Sequence, residues 1–172
     1  MSTWSLAMLN QMDRAEFTRV LGSLFESSPW IADRAWESRP FSSVGALHAA
    51  MAEVVRQSPR ADQLSLLRAH PDLAGKAARA GAMSHSSVGE QSAAGLDRLT
   101  DEEYERFDRL NRAYREKFDF PFIIAVRRHD KSAILAAFER RLDHGLEDEV
   151  QTALTQVCDI TRMRLEQLLK AG

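Results

Sequence analysis

The chain has 172 residues, with 23 Lys plus Arg against 25 Asp plus Glu and a formal net charge of −2. That length suits one domain able to bury roughly two thirds of the surface its unfolded form exposes. The interspersed, near-balanced charge offers no basic face or tail for nucleic acid, which excludes that class of partner.

No apolar run approaches the roughly 20 residues a membrane span needs. The start, Met1-Ser2-Thr3-Trp4-Ser5, lacks a charged segment backed by an apolar one, and the end, Lys170-Ala171-Gly172, is not a peroxisomal address. The expectation is a soluble cytoplasmic protein with no membrane partner. Cys158 is the only cysteine, so an intrachain disulfide or a cysteine metal cluster is excluded, and its apolar helical surroundings predict a core thiol.

Helix signals follow one another along the chain. Asp13 with Glu16 is a capping arrangement ahead of Phe17, Val20, Leu21 and Leu24 at helical spacing. Ser28-Pro29 opens a shorter helix carrying Trp30 and Trp36. Val44, Leu47, Met51 and Val54 mark the next, ending near Ser58-Pro59, and Leu64, Leu66 and Leu67 mark another that runs toward His70.

From Asp72 to Ser87 the Ala, Gly and Ser content predicts a short helix plus a loop. Thr100 with Glu103 is a capping box, after which Tyr104, Phe107, Leu110, Asn111, Tyr114 and Phe118 share one helical face. Asn111, set among apolar neighbours, is read as a buried amide that bonds a loop backbone. Phe120-Pro121-Phe122-Ile123-Ile124-Ala125-Val126 is the one strand-like run; Pro121 and its shortness predict an extended pocket-lining segment instead. Asp130 or Ser132 opens a helix with Ile134, Leu135, Phe138 and Leu142, and a long last helix carries Val150, Leu154, Val157, Ile160, Leu165 and Leu168. The fold expected is all-α: a single-domain bundle of about eight helices over residues 1–172, with a substrate pocket at helix ends and loops.

His70 is the most informative residue. The residue before a proline is pushed out of the α region, so His70-Pro71 puts the imidazole at a helix end or in a loop. The partial negative charge of a helix C-terminus there favours the imidazolium form, and an imidazole changes charge near neutral pH. Ser87-x-x-Glu90 fits a capping box at a helix start, where free N–H groups also suit an anionic substrate. Arg127 and Arg128, which follow the extended run, are either solvated surface charge or a bidentate partner for a substrate carboxylate, and Arg127 is favoured. His48, His85, His129 and His144 have no metal-ligand spacing, and no glycine-rich phosphate loop occurs; neither metal nor nucleotide cofactor is expected.

Three stretches taken together, His70-Pro71-Asp72-Leu73-Ala74-Gly75, Ser87-Val88-Gly89-Glu90-Gln91-Ser92-Ala93-Ala94-Gly95-Leu96 and Leu110-Asn111 through Phe118-Asp119-Phe120-Pro121-Phe122-Ile123, resemble the OHCU decarboxylase family of urate breakdown. The likeness runs from about Leu9 to Leu169 and takes in Glu26-Ser27-Ser28-Pro29-Trp30 and Arg39-Pro40-Phe41. It implies cofactor-free decarboxylation of 2-oxo-4-hydroxy-4-carboxy-5-ureidoimidazoline to (S)-allantoin and carbon dioxide by a homodimer. It further implies that His70 is the general acid/base with Glu90 beside it, and that Pro71, Ser87, Gln91, Phe122, Ile123, Ile124, Ala125, Val126 and Arg127 hold the substrate. One departure stands out: the family usually has glycine where this chain has Asp119, a residue that tolerates positive φ better than most.

His-Pro-Asp between helices is also the signature of J-domain cochaperones, which makes a chaperone-binding module the rival from another class. The nearly neutral segment Ala61 to Arg68 lacks the basic helix such modules present. A catalytically inactive helical paralogue is the third reading.

Overall fold

The computed structural model describes residues 4–74 and 84–170. Among these residues the secondary structure is helical, with no strand. The helices are α1 (Leu6–Gln11), α2 (Arg14–Leu21), α3 (Trp30–Ala35), α4 (Val44–Gln57), α5 (Arg60–Arg68), α6 (His85–Ala93), α7 (Asp101–Phe118), α8 (Lys131–Arg141) and α9 (Leu146–Lys170), with 3-10 turns at Trp36–Ser38 and Val126–Arg128. The all-α expectation holds. The six-residue α1 was not expected: it is too short for an apolar period and is set by Ser5, whose hydroxyl accepts from the Met8 N–H. No described helix is long and apolar enough to cross a membrane.

Caps at the helix starts follow the local chemistry. Asp13, Ser43, Thr100 and Asp130 each accept a backbone N–H three residues on, and Glu103 reaches back to Thr100 to complete a capping box. α7 ends where Asp119 turns left-handed, at φ 61° and ψ 28°.

The contacts divide the chain into two compact units. The first comprises residues 1–66 and 158–172. There α3 packs on α2 and α4 over a core of Leu9, Phe17, Leu21, Ile31, Leu47 and Met51, and the Phe17 and Phe41 rings stack with centroids 6.1 Å apart. Arg164 is buried in this unit, donating to the Leu24 carbonyl and to Glu26 at 3.0 Å. Cys158 is half-buried rather than fully enclosed, and burial pushes its thiol pKa up, which keeps it a neutral packing group.

The second unit, residues 67–157, carries the candidate site. Its core is an aromatic cluster: Tyr114 meets Phe118, Phe120, Phe122 and Phe138, and Phe122 stacks on Phe138 at 3.8 Å with planes 9° apart. Burying such rings is worth roughly 1.5–3 kcal/mol each. That cluster fixes the chain that follows α7.

Candidate active site

The helix that leads to His70 stops at Arg68, and the His70 N–H donates to the Leu67 carbonyl at 3.2 Å, closing the last turn. The imidazole is 6% exposed. Beyond it, Ala74 has φ 51°, a left-handed conformation that costs an alanine roughly 1–2 kcal/mol and so has to be imposed by its neighbours.

Those neighbours are identifiable. The Ala74 N–H donates to Gln91 Oε1 at 2.9 Å, while Gln91 Nε2 donates to the Asp72 carbonyl at 3.3 Å. Asn111 Nδ2 donates to the Leu73 carbonyl at 2.8 Å, as its place among apolar residues predicts, and Arg115 Nε donates to Asp72 Oδ1 at 2.8 Å. The loop carrying His70 is thus bound to α6 and α7 by side chains of both. Gly75 and the rest of the expected short helix and loop, up to residue 83, lie outside the described residues.

α6 brings the second set of predicted residues. Its cap is Ser84, whose hydroxyl accepts from the Ser87 N–H at 3.2 Å, so Ser87 lies within the first turn and the expected Ser87–Glu90 capping box does not form. Ser87 is therefore the third residue of the helix and not its cap. Ser87 and Gln91 are buried and Glu90 is half-buried on this helix. α6 packs against the Val126–Arg128 turn, which joins it to the third predicted stretch.

Residues 121–125 are neither helix nor strand, as Pro121 predicts. Phe122, Ile123, Ile124, Ala125 and Val126 are all buried. The Phe122 ring belongs to the aromatic cluster, so this stretch offers backbone more than side chains. Ile123 C=O accepts from Arg141 Nη1 at 2.7 Å and Ala125 N–H donates to Gln156 Oε1 at 2.9 Å. Arg127 is exposed on the turn, and among the described residues it forms no ion pair. Pro71 is half-buried beside His70.

Behind the stretch lies a buried polar network. Arg141 Nε and the Tyr114 hydroxyl both donate to Glu149 Oε1, at 2.7 and 2.6 Å, and His144 Nδ1 lies 3.0 Å from Glu149 Oε2. Burial, with the carboxylate as acceptor, pushes the Tyr114 pKa far up, so the phenol stays a donor throughout the working pH range. Among the described residues no group of three His, Cys, Asp or Glu is arranged to hold a metal.

Sequence reasoning passed over Arg141, Gln156, Arg115 and Glu149. Arg141 had left a signal, since it falls seven residues after Ile134 and three after Phe138, on the buried face of α8. Gln156 left none. Its partner is 31 residues away in sequence.

Comparison with known proteins agrees with this architecture. The family model described as OHCU decarboxylase matches residues 10–166, across both units. A Haloferax volcanii protein named 2-oxo-4-hydroxy-4-carboxy-5-ureidoimidazoline decarboxylase is 46% identical over 161 residues, covering 94% of this chain and 94% of the relative. A Mus musculus protein of the same name is 39% identical over 166 residues, 96% of this chain and 93% of the relative. A crystal structure of (S)-allantoin synthase superposes with a TM-score of 0.77 at 34% identity, over 96% of this chain and 54% of that one, so this chain spans about half its length. A structure of OHCU decarboxylase in the presence of (S)-allantoin, 21% identical, shares the fold, with a TM-score of 0.70 over 92% of this chain and 99% of that one. By its match over residues 10–166 and its identity to full-length relatives, the chain belongs to the OHCU decarboxylase family.

Proposed function

We propose that this protein decarboxylates 2-oxo-4-hydroxy-4-carboxy-5-ureidoimidazoline to (S)-allantoin and carbon dioxide in urate degradation, without a cofactor, with His70 as general acid/base and Glu90 as the carboxylate that orients ring and substrate. One observation carries the reading. The loop bearing a buried histidine is bound by side chains to α6, which carries Ser87 and Glu90 and packs on the turn that ends the Phe122–Val126 stretch.

The chemistry asks little more than that. Breaking the bond to the carboxylate releases carbon dioxide and leaves an electron pair, which delocalises into the conjugated ring of the substrate. A proton must then reach one face of that ring. Placement, complementary charge and proton delivery are what a protein without an electron sink contributes, and a positioned imidazole is suited to the last. Ser87 and the backbone of Phe122 to Val126 hydrogen-bond the oxo and ureido groups, Pro71 flanks the ring, Gln91 keeps the His70 loop in place, and Arg127 pairs with the carboxylate.

The test follows optical activity after the unstable substrate is generated in situ from urate. The expected result is rapid formation of a circular-dichroic product with the protein and none above the spontaneous rate with His70→Ala. A protein no faster than buffer overturns the reading; an active His70→Ala variant reassigns the proton. The same reading includes a cytoplasmic homodimer acting as one functional domain. Light scattering that returns the mass of one 19.4 kDa chain at working concentration overturns the dimer.

A further inference from the structure

The backbone at Ile123 and Ala125 is gripped by side chains from two helices. Arg141 on α8 donates to the Ile123 carbonyl at 2.7 Å, and Gln156 on α9 accepts from the Ala125 N–H at 2.9 Å. In extended chain, residues two apart direct their polar groups to the same edge and the residue between them to the other. A C=O at one position and an N–H two positions on are the pair that a single residue of a neighbouring parallel strand engages.

The grip is itself held. The Arg141 guanidinium lies 4.3 Å from the centroid of the Phe122 ring, and its Nε donates at 2.7 Å to Glu149, a fully buried carboxylate that also takes the Tyr114 hydroxyl. The residue between Ile123 and Ala125 is different. Ile124 is 5% exposed, and among the described residues no hydrogen bond meets its N–H or its C=O. Buried backbone groups are nearly always paired, so a ligand's polar groups are the fitting partners.

We propose that Arg141 and Gln156 are positioning residues that together replace a neighbouring strand, holding Ile123–Ala125 so that the N–H and C=O of Ile124 are presented to the oxo and ureido groups of the substrate. The identity of that ligand rests on the decarboxylase reading above; the grip itself does not. The arrangement explains how a pocket wall made of backbone keeps its shape in a protein whose described residues form no sheet.

Arg141 is enclosed with Glu149, and its replacement endangers the fold, so the experiment uses half-buried Gln156. Gln156→Met removes the acceptor for the Ala125 N–H, whereas Gln156→Glu keeps one. The expected result is a KM for the ureidoimidazoline raised about three- to tenfold in Gln156→Met with kcat nearly unchanged, and restored in Gln156→Glu. Hydrogen exchange of the Ala125 amide accelerates in the Met variant alone. Wild-type KM and wild-type Ala125 exchange in Gln156→Met overturn the proposal, as does an equal loss in both variants, which marks an effect of shape. If the unaltered protein fails to decarboxylate, the function falls, and the Ala125 exchange still decides the grip.

Discussion

Arg68 holds Asp119 at two points across 51 residues of sequence: its Nε donates to the Asp119 carbonyl at 2.9 Å and its Nη2 to the carboxylate at 2.8 Å. Asp119 is left-handed at the end of α7, and Arg68 is the last residue of the helix that leads to His70. The contact therefore links the start of the His70 loop to the start of the irregular stretch that follows α7. The ion pair is open to solvent and adds little by charge alone; its value lies in fixing a backbone carbonyl.

The left-handed backbone at Asp119 is one that glycine adopts without cost and aspartate tolerates better than most residues. Asp119→Ala keeps the Cβ penalty and loses the carboxylate, so it is expected to destabilise by about 1 kcal/mol. Asp119→Gly loses the same ion pair but relieves the backbone and stays nearer the parent. Urea denaturation compares the two, and equal midpoints would remove the backbone explanation.

Gln91→Leu leaves the buried Ala74 N–H without its acceptor and the Asp72 carbonyl without its Gln91 donor. The expected cost is about 1–3 kcal/mol, with a loss of activity as the left-handed Ala74 relaxes and His70 moves. Denaturant midpoints and turnover are read on the same sample. Unchanged stability with lost activity would instead make Gln91 a substrate contact and nothing more.

Arg127 is exposed and forms no ion pair among the described residues, so Arg127→Ala leaves thermal stability unchanged. If it binds the substrate carboxylate, KM rises by about tenfold or more, since charge-assisted pairs are the strong ones. A KM equal to that of the parent would return Arg127 to the solvated surface.

His48 sits 3.1 Å from the Thr161 hydroxyl, half-buried, and burial holds its pKa below the ordinary 6.5, with Arg162 acting in the same direction and the Cys158 carbonyl, Asp159 and Glu166 opposing. The folded value lies below the unfolded one, so the unfolded state binds more protons between them. Its contribution to stability is complete above pH 6.5 and is lost as pH falls through the depressed value. Asp33, held down by Arg14, and Glu53, Glu103 and Glu166, held down by their hydrogen-bond partners, are lost only below 3.8 and 4.5 respectively. Stability should therefore already decline between pH 6.5 and 4.5, and His48→Gln should flatten that limb of a denaturation series; an unchanged slope refutes the assignment.

The helices and the family are legible in the amino-acid order alone. Apolar spacing on α4, α7, α8 and α9 and side-chain caps at Asp13, Thr100 and Asp130 are interactions within a few residues, so they can be read without knowing the fold. His70-Pro71 likewise announces a helix end, because the proline ring restricts its own neighbour. The likeness of three separated motifs named the chemistry. The local Ser87-x-x-Glu90 pattern, by contrast, pointed to a capping box that the folded chain does not use, since Ser84 caps the helix and a local pattern cannot say which of two serines comes first.

What holds the His70 loop and the backbone after α7 emerges only in the folded chain. Gln91 and Asn111 fix the His70 loop from 17 and 38 residues away, and Arg141 and Gln156 fix the backbone of Ile123 and Ala125 from 18 and 31. Each is a polar side chain meeting a main-chain group, a kind of contact that carries no residue preference at the receiving end. Every residue offers the same C=O and every residue but proline the same N–H, so the partner is chosen by the path of the folded chain.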